Sequence, residues 1–165
     1  MAKLYELLIS EEAAEEVVQT ESGIDATTRR AQEEAEAAAR RAAAAEERMR
    51  RSALATRVFY FDFDISEFRP ADRDVLTYHA QDLAANPSKR IRLEGHADER
   101  GTREYNLGLS ARRSATTKAY LVSQGVDAAR IRTISYGKER PVALCDAESC
   151  WSQNRRAVTV VTGGA

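Results

Sequence analysis

A basic excess and a long apolar run are both missing from this 165-residue sequence. It carries 25 Lys and Arg against 26 Asp and Glu, a formal net charge of −1. General electrostatic attraction to nucleic acid requires an excess of positive charge, so we expect no nucleic-acid partner. No apolar run approaches the ~18–20 residues that cross a bilayer as a helix. The opening "MAKLYELLIS" is too short for a signal peptide and is followed at once by acidic residues, so none is expected.

Cysteine and histidine, which are common zinc ligands, are also scarce. The only cysteines are Cys145 and Cys150 in "LCDAESCW", and the only histidines are His79 and His96. Four residues separate the cysteines, which is not the short spacing of a zinc hairpin, and there is no second pair to complete a zinc site. We expect a local disulfide, with two free thiols as the alternative. A disulfide would indicate an oxidising compartment.

Large apolar residues are nearly absent between residues 26 and 57. The segment consists mainly of Ala, Glu, Arg and Gln, which are strong helix formers, and it contains no Gly or Pro. Because it has no heptad seam, a stable coiled coil is not indicated. We predict that residues 1–57 form an exposed helical stalk or spacer. Within it, "ESGID" at 21–25 should separate a short amphipathic helix over residues 1–20 from a longer one.

The remaining sequence has the alternating pattern of an α/β domain. Helices are predicted between Pro70 and Asn86 and between Arg103 and Gly125. Strands are predicted over "RVFYFDF" (57–63), "RIRLEG" (90–95), "RIRTISYG" (130–137) and "RRAVTVV" (155–161). This order predicts a small βαβαββ sandwich, an α/β domain with two helices packed on one face of a mixed four-stranded sheet.

Periodicity assigns the side chains that should pack inside this domain. In its second helix, the apolar and small residues share a stripe of roughly 120° and are predicted to form the packed face. These residues are Leu107, Ala111, Ala115, Ala119 and Val122. The corresponding residues in the first helix are Leu76, Ala80 and Leu83. The first strand alternates, with Phe59, Phe61 and Phe63 on one face and Val58 and Tyr60 on the other. Arg113 falls on a different flank of the second helix and is not expected to face the core.

The stretch "EGHADERGT" (94–102) is the strongest candidate for a ligand site. It places His96, Asp98, Glu99 and Arg100 where a strand ends and a helix is about to begin. Asp98 and Arg113 could face one pocket with opposite charges, which suits a zwitterion: the carboxylate accepts an ammonium group while the guanidinium binds a carboxylate bidentately. The alternative is a salt bridge between the two residues, and spacing alone favours that alternative.

Three other interpretations carry less weight. His96, Asp98 and Glu99 resemble a fragment of a metal site, but the sequence lacks further ligands, and a hydrogen-bonded residue at the strand end explains His96 better. Ser110 with His96 would suggest a hydrolase, yet no nucleophile turn surrounds the serine, so no catalysis is expected. Arg155 and Arg156 are interpreted as anion contacts or, equally, as a solvated strand edge.

Five segments together resemble a known family. They are "VFYFDFD", "EGHADERGTREYNLGLSARR", "YLVSQGV", "ISYGKERP" and "WSQNRRA", which run in order from about Val58 to Val161. They resemble the peptidoglycan-associated lipoproteins (Pal) of the OmpA-like C-terminal domain family. The resemblance implies an OmpA-like domain over residues 58–165 and non-covalent binding of peptidoglycan through the diaminopimelate of its stem peptide. No cofactor and no metal are expected.

The resemblance also implies which residues bind. The family's binding Asp and Arg map to Asp98 and Arg113, and its Phe-Asp pair after the first strand maps to Phe63 and Asp64. Glu99, Arg100, Asn106 and Leu109 line the same region by position.

The family's setting in the cell is implied in the same way. Its members are periplasmic, tether the outer membrane of Gram-negative bacteria to the cell wall, take part in cell division, and dock periplasmic proteins of the Tol system. Their lipid anchor is attached to an N-terminal cysteine, whereas no cysteine precedes Cys145 here. We therefore expect outer-membrane association only through an anchor that is absent from this chain. Docking of a Tol partner on the same surface is the second hypothesis, and a cell-wall hydrolase is the third.

Overall fold

A computed structural model describes the backbone of residues 2–164 and the side chains of residue 23 and residues 25–164. The elements are α1 (Ala2–Ala55), β1 (Val58–Tyr60), α2 (Pro70–Ala85), β2 (Arg90–His96), α3 (Arg103–Ser123), β3 (Ile131–Ser135), α4 (Glu148–Asn154) and β4 (Arg156–Gly163), with a 3₁₀ turn at Ala128–Arg130. The predicted fold class is confirmed, and the sequence patterns missed only the short helix α4.

The predicted break in the N-terminal helix is wrong. Helix α1 continues through the "ESGID" segment, and the hydroxyl of Thr27 donates to the carbonyl of Gly23 2.8 Å away, as a residue inside a helix does. One glycine costs a helix about 1 kcal/mol, which the strong helix formers on its C-terminal side offset. The amphipathic face expected for residues 1–20 lies outside the described side chains. The chain divides between Arg48 and Met49 into two compact units.

The sheet has the order β1-β4-β2-β3. Strand β4 lies between β1 and β2 and is antiparallel to both, whereas β2 and β3 are parallel because α3 connects them. Along β2, Ile91 and Leu93 are buried. Arg92 and Glu94, which alternate with them, are only partly buried and pair with each other on the opposite face. This alternation leaves one face of the sheet for the helices. No described helix is long and apolar enough to cross a membrane.

The apolar core joins α2 and α3 to that face of the sheet. It contains the predicted residues of α2, Leu76, Ala80 and Leu83. It also contains Phe59, Ile91, Leu93, Leu121, Val126 and Ile131. Strand β1 is shorter than its pattern predicted, since pairing ends at Tyr60 and the chain turns after Phe61. Of the three phenylalanines predicted to share one face, Phe59 and Phe61 are buried, but Phe63 lies beyond the strand and is 58% exposed.

The predicted packed face of α3 is also wrong. Its buried residues are Asn106, Leu109, Ser110, Arg113, Ser114, Thr117 and Leu121. The residues predicted to pack, Leu107, Ala111, Ala115, Ala119 and Val122, are exposed or half-buried. The reason lies in β2, where a Cβ added to Gly95 would stand 1.9 Å from the carbonyl oxygen of Ser110. Helix and strand backbones approach so closely that small polar side chains, rather than apolar ones, line the contact.

This close approach predicts that Gly95→Ala is strongly destabilising. The added methyl group would meet backbone, which cannot rotate away, so we expect a loss of about 3 kcal/mol or more in unfolding free energy. Gly108→Ala is the matched control, because the nearest atom there is the mobile end of Arg112, 3.4 Å away. Inside a helix, that change should stabilise by up to about 1 kcal/mol. Urea unfolding of both variants measures the difference, and equal effects would contradict the close packing.

The last turn of α1 packs with the α/β domain. Ala53 is buried, and Nε2 of His79 in α2 hydrogen-bonds the carbonyl of Thr56 at 2.8 Å. We therefore predict that deleting residues 1–48 leaves the melting temperature of the domain nearly unchanged, whereas deleting residues 1–56 lowers it by several degrees. Calorimetry on the two truncations tests this, and equal melting temperatures would show that the last turn contributes nothing. The functional boundary at residue 57 stays a prediction.

Candidate ligand-binding site

A cavity of about 200 Å³ opens where the loop after β2 meets the start of α3. Its lining consists of Phe63, Asp64, Asp98, Arg100, Gly101, Tyr105, Asn106 and Leu109. Six of these belong to the eight residues predicted from the sequence. The other two, Glu99 and Arg113, lie outside the lining. The cavity is small, with room for the end of one amino-acid side chain.

Asp98 supplies the only buried carboxylate among the lining residues, and its side chain is already engaged. Oδ1 accepts hydrogen bonds from the backbone N–H and Nε of Arg100, at 3.0 and 3.1 Å. Oδ2 accepts from Nη2 of Arg100 at 2.8 Å and lies 3.6 Å from Nη1 of Arg155. Burial alone would raise the pKa of Asp98, but the hydrogen bonds from Arg100 and the charges of Arg100 and Arg155 outweigh it. The pKa is held below its ordinary value of 3.8, so the residue is an anion at neutral pH.

Arg113 contradicts its predicted placement, because its side chain is fully buried, at 0% exposure. Its guanidinium donates to three backbone carbonyls, those of Ile65, His96 and Asp62, each at 3.0 Å. Burial lowers the pKa of Arg113 to about 10, which still leaves it charged at neutral pH. The salt bridge with Asp98 that spacing favoured is not formed, since each residue has other partners. Their charges nevertheless attract, and the nearby Asp98 raises the pKa of Arg113 against the effect of burial.

The loop that carries Asp98 is held from several sides. Nδ2 of Asn106 donates to the carbonyl of Arg100 at 2.8 Å, and Nζ of Lys138 donates to the carbonyls of Glu99 and Gly101, at 3.2 and 2.7 Å. Gly101 has a φ of 92°, a conformation that favours glycine. These contacts fix the loop independently of any ligand. The cavity is therefore largely preformed.

Arg100 lies between two aromatic rings. Its guanidinium carbon is 4.0 Å from the ring centre of Phe63 and 4.1 Å from that of Trp151. Trp151 also donates from its indole nitrogen to Oε1 of Glu99 at 3.0 Å. Glu99, predicted to line the site, therefore contacts α4 instead of the cavity. Trp151 is a residue that the sequence patterns missed, since no local spacing relates it to a loop about 50 residues earlier.

Tyr105 is the second residue that the sequence patterns missed, and unlike Trp151 it lines the cavity. Its hydroxyl donates a hydrogen bond to Oδ1 of Asp64. In the described part of the chain, Asp64 is the one non-glycine residue with a positive φ, at 56°. Asp is among the residues that tolerate this conformation. Tyr105 immediately precedes Asn106 and lies one turn before Leu109, so helical spacing from those two residues would have identified it.

Arg155 and Arg156 do not form a solvated strand edge, because both are buried. Arg155 donates from Nε to the carbonyl of Phe61 at 2.8 Å, and from its two terminal nitrogens to Glu148 at 3.0 and 2.5 Å. Its Nη1 also lies 3.6 Å from Oδ2 of Asp98, so Arg155 is the second positive charge, after Arg100, beside that carboxylate.

The residues considered for a metal site and for a hydrolase do not form the contacts that those sites require. In the part of the chain that the structure describes, no three His, Cys, Asp or Glu side chains are grouped as metal ligands. The buried hydroxyl of Ser110 has no hydrogen-bond partner, so no base activates it in this structure. His96 is at the strand end as expected, stacked on Tyr136, but its Nδ1 is buried without a hydrogen bond.

Cys145 and Cys150 are joined in a disulfide, with their Cα atoms 5.6 Å apart. The bond closes the segment that leads into α4. Oδ1 of Asn154, at the other end of that helix, accepts from the backbone N–H groups of Val142 and Ala143, at 2.8 and 3.2 Å. The segment is thus fastened to α4 at two points.

The burial of His96 predicts a loss of stability in mild acid. Burial, then the charges of Arg156 and Arg140, lower its pKa from 6.5 to about 4. Between these pH values the unfolded chain binds a proton that the folded chain does not, so stability falls as the pH drops. His96→Phe keeps the stacking on Tyr136 but cannot titrate. We expect the loss of unfolding free energy between pH 7 and pH 4.5 to be about 2 kcal/mol smaller in that variant. Identical pH dependence in urea unfolding would contradict the assignment.

Comparisons with known proteins agree with the resemblance noted from the sequence. A model of the OmpA family matches residues 60–156. The chain is 62% identical over 104 residues to the peptidoglycan-associated lipoprotein of Rhizobium meliloti (strain 1021), covering 63% of this chain and 59% of that protein. Identity to the protein of the same name from Pseudomonas aeruginosa is 50% over 102 residues, 62% of this chain and 60% of the relative. The chain thus spans about three fifths of the length of these relatives.

Solved structures give the same picture. The crystal structure of the peptidoglycan-associated lipoprotein from Burkholderia pseudomallei matches with a TM-score of 0.66 and 43% identity, covering 67% of this chain and 93% of that one. The C-terminal domain of Helicobacter pylori MotB matches with a TM-score of 0.60 over 65% of this chain and 84% of that one. At 19% identity, this second likeness shows the fold alone.

Proposed function

Because the chain belongs to the OmpA family, we propose that its α/β domain binds peptidoglycan non-covalently and without catalysis. Relatives at 50–62% identity carry the name peptidoglycan-associated lipoprotein, which supports this substrate. In this proposal the domain acts in the periplasm and tethers the outer membrane of a Gram-negative bacterium to the cell wall. The ligand group is the free end of diaminopimelate in the stem peptide, which has an ammonium and a carboxylate on one carbon.

The observation that carries the proposal is an ionised Asp98 in a small cavity, with the guanidinium of Arg100 beside it in the same lining. A buried carboxylate that remains an anion is a strong acceptor for an ammonium group. The ligand's carboxylate is assigned to the positive side of the cavity, where Arg100 is 30% exposed. Arg113 is the second cation assigned to it, and because it is fully buried outside the lining, it acts through its charge behind the cavity rather than through a direct contact.

The remaining lining suits the hydrocarbon chain of the same ligand. Leu109, Phe63 and Tyr105 provide apolar surface beside the charged groups. A diaminopimelate side chain has methylene groups between its polar ends, and such groups gain about 0.8 kcal/mol each when fully buried. A few placed polar groups in an otherwise apolar lining are typical of sites that recognise small molecules.

Docking of a periplasmic Tol protein on this face is the second candidate. Three large apolar side chains beside the cavity, Phe63, Ile65 and Tyr105, are 58%, 40% and 48% exposed. Grouped exposed apolar residues are a feature of protein-interaction surfaces. Because Phe63 and Tyr105 also line the cavity, a protein bound here would compete with peptidoglycan.

The proposal predicts that Asp98→Asn removes most binding to purified sacculi while the fold survives. The change keeps the side-chain shape but leaves the ligand's ammonium unpaired, at a cost of roughly 2–4 kcal/mol in a desolvated site. Asp74→Asn, the same chemical change at an exposed position of α2, is the control and should bind like the wild type. Co-sedimentation with sacculi measures binding, and melting curves verify folding. Folded Asp98→Asn protein that sediments at wild-type strength would refute the site.

Competition extends the same assay to the ligand group. Free diaminopimelate should release the protein from sacculi, whereas Nα-acetyl-lysine amide, whose one ammonium has no carboxylate on the same carbon, should release it much less. Release of soluble wall fragments during the incubation would instead support a hydrolase. Arg113→Ala does not test the ligand contact, because it also leaves three carbonyls without their donor.

A further inference from the structure

Helix α4 reaches the cavity lining by two routes, directly at Arg100 and through the Glu148–Arg155 pair that lies beside Asp98. Its Trp151 covers one face of the Arg100 guanidinium, at 4.1 Å, and its Glu148 lies 3.9 Å from Nη2 of the same group. Neither Trp151 nor Glu148 lines the cavity. Trp151 itself has its closest contact with the lining at Arg100, whose guanidinium carbon is also 4.0 Å from the ring centre of Phe63.

Arg100 in turn fixes the orientation of Asp98. Three hydrogen bonds run from its backbone and side chain to the two carboxylate oxygens, so the plane of the carboxylate follows the position of the guanidinium. A guanidinium with 30% of its side chain exposed would lose this position readily without the rings on both faces. The geometry of the ammonium acceptor depends on Trp151 for that reason.

The disulfide holds Trp151 in place. Cys150 immediately precedes Trp151 in α4, and its bond to Cys145 closes the preceding loop. The backbone N–H groups of Cys150 and Trp151 both donate to the carbonyl of Ala147 at 3.0 Å, in the first turn of the helix. Breaking the disulfide frees this turn at the position of the indole ring.

We infer that Trp151, fixed by the Cys145–Cys150 disulfide, is a positioning residue that sets the affinity of the cavity by holding Arg100 against Asp98. This inference rests on the proposed function, since the affinity concerned is that for peptidoglycan. It gives the cysteine-bearing segment a role in recognition, in addition to any effect on stability.

Sacculus binding by four proteins tests the inference. Trp151→Ala should weaken binding roughly three- to tenfold, the range of a partly exposed cation–π contact. Trp151→Phe retains an aromatic face for Arg100 and should restore most of the binding. Replacing both cysteines by alanine should weaken binding in the same direction as Trp151→Ala. Leu144→Ala is the control within the disulfide loop, because Leu144 is 87% exposed, and it should bind like the wild type.

A double-mutant cycle separates positioning from a general loss of structure. If Trp151 acts through Arg100, then Trp151→Ala should add nothing to the defect of Arg100→Ala. Additive defects would overturn the inference, and so would a folded Trp151→Ala variant that binds as well as Leu144→Ala. Melting curves of each variant verify folding.

A measurement without ligand keeps this inference distinct from the proposed function. Trp151 is the only tryptophan, so the emission maximum of the protein reports on its surroundings. Arg100→Ala uncovers one face of the indole and should move the emission to longer wavelength, and so should replacement of both cysteines. If wild-type protein fails to sediment with sacculi, the proposed function is wrong, whereas an unchanged emission maximum in Arg100→Ala contradicts the positioning itself.

Discussion

The guanidinium of Arg113 joins three parts of the domain at one buried point. It projects from α3 and donates to the carbonyls of Asp62 and Ile65 in the turn after β1, and to that of His96 at the end of β2. The bond to the His96 carbonyl is fully buried, and an unsatisfied buried carbonyl costs about 1–3 kcal/mol. This one side chain therefore ties the turn that carries Phe63 and Asp64 to the strand end that leads into the loop bearing Asp98, which Asn106 and Lys138 also hold. The cavity exists because the turn and the strand end are both tied to α3.

The charges around the cavity balance each other without a ligand. Asp98 faces Arg100 and Arg155, and Arg155 is shared with Glu148 in α4. An ammonium that approaches Asp98 therefore meets a carboxylate that already has partners, and a ligand that brings its own carboxylate returns a negative charge to the arginines. A zwitterion preserves this balance, whereas a simple amine does not. That difference is the physical reason for expecting selectivity between diaminopimelate and Nα-acetyl-lysine amide, which presents an ammonium without a carboxylate on the same carbon.

Local pattern was sufficient for the elements of the domain and for the loop that carries Asp98. The order of helices and strands along the chain, the packed stripe of α2 and six residues of the cavity lining all follow from periodicity, from the charged cluster at a strand end and from the family resemblance. The face of α3 could not be predicted in this way, because Arg113 is buried by carbonyls about 17 to 51 residues earlier in the chain. The same holds for Trp151, which is separated by 52 residues from its partner Glu99. Hydrophobic periodicity cannot predict that a charged residue is buried, or that a glycine allows a helix to pack closely against a strand.

The most direct test of the account is a crystal structure of the protein with diaminopimelate bound. The account predicts an amine nitrogen within about 3 Å of a carboxylate oxygen of Asp98. It also predicts that the carboxylate on the same carbon faces Arg100 and Arg113, with the ligand's chain against Leu109. A ligand that occupies another part of the surface, or that enters this cavity with its carboxylate rather than its amine toward Asp98, would contradict it.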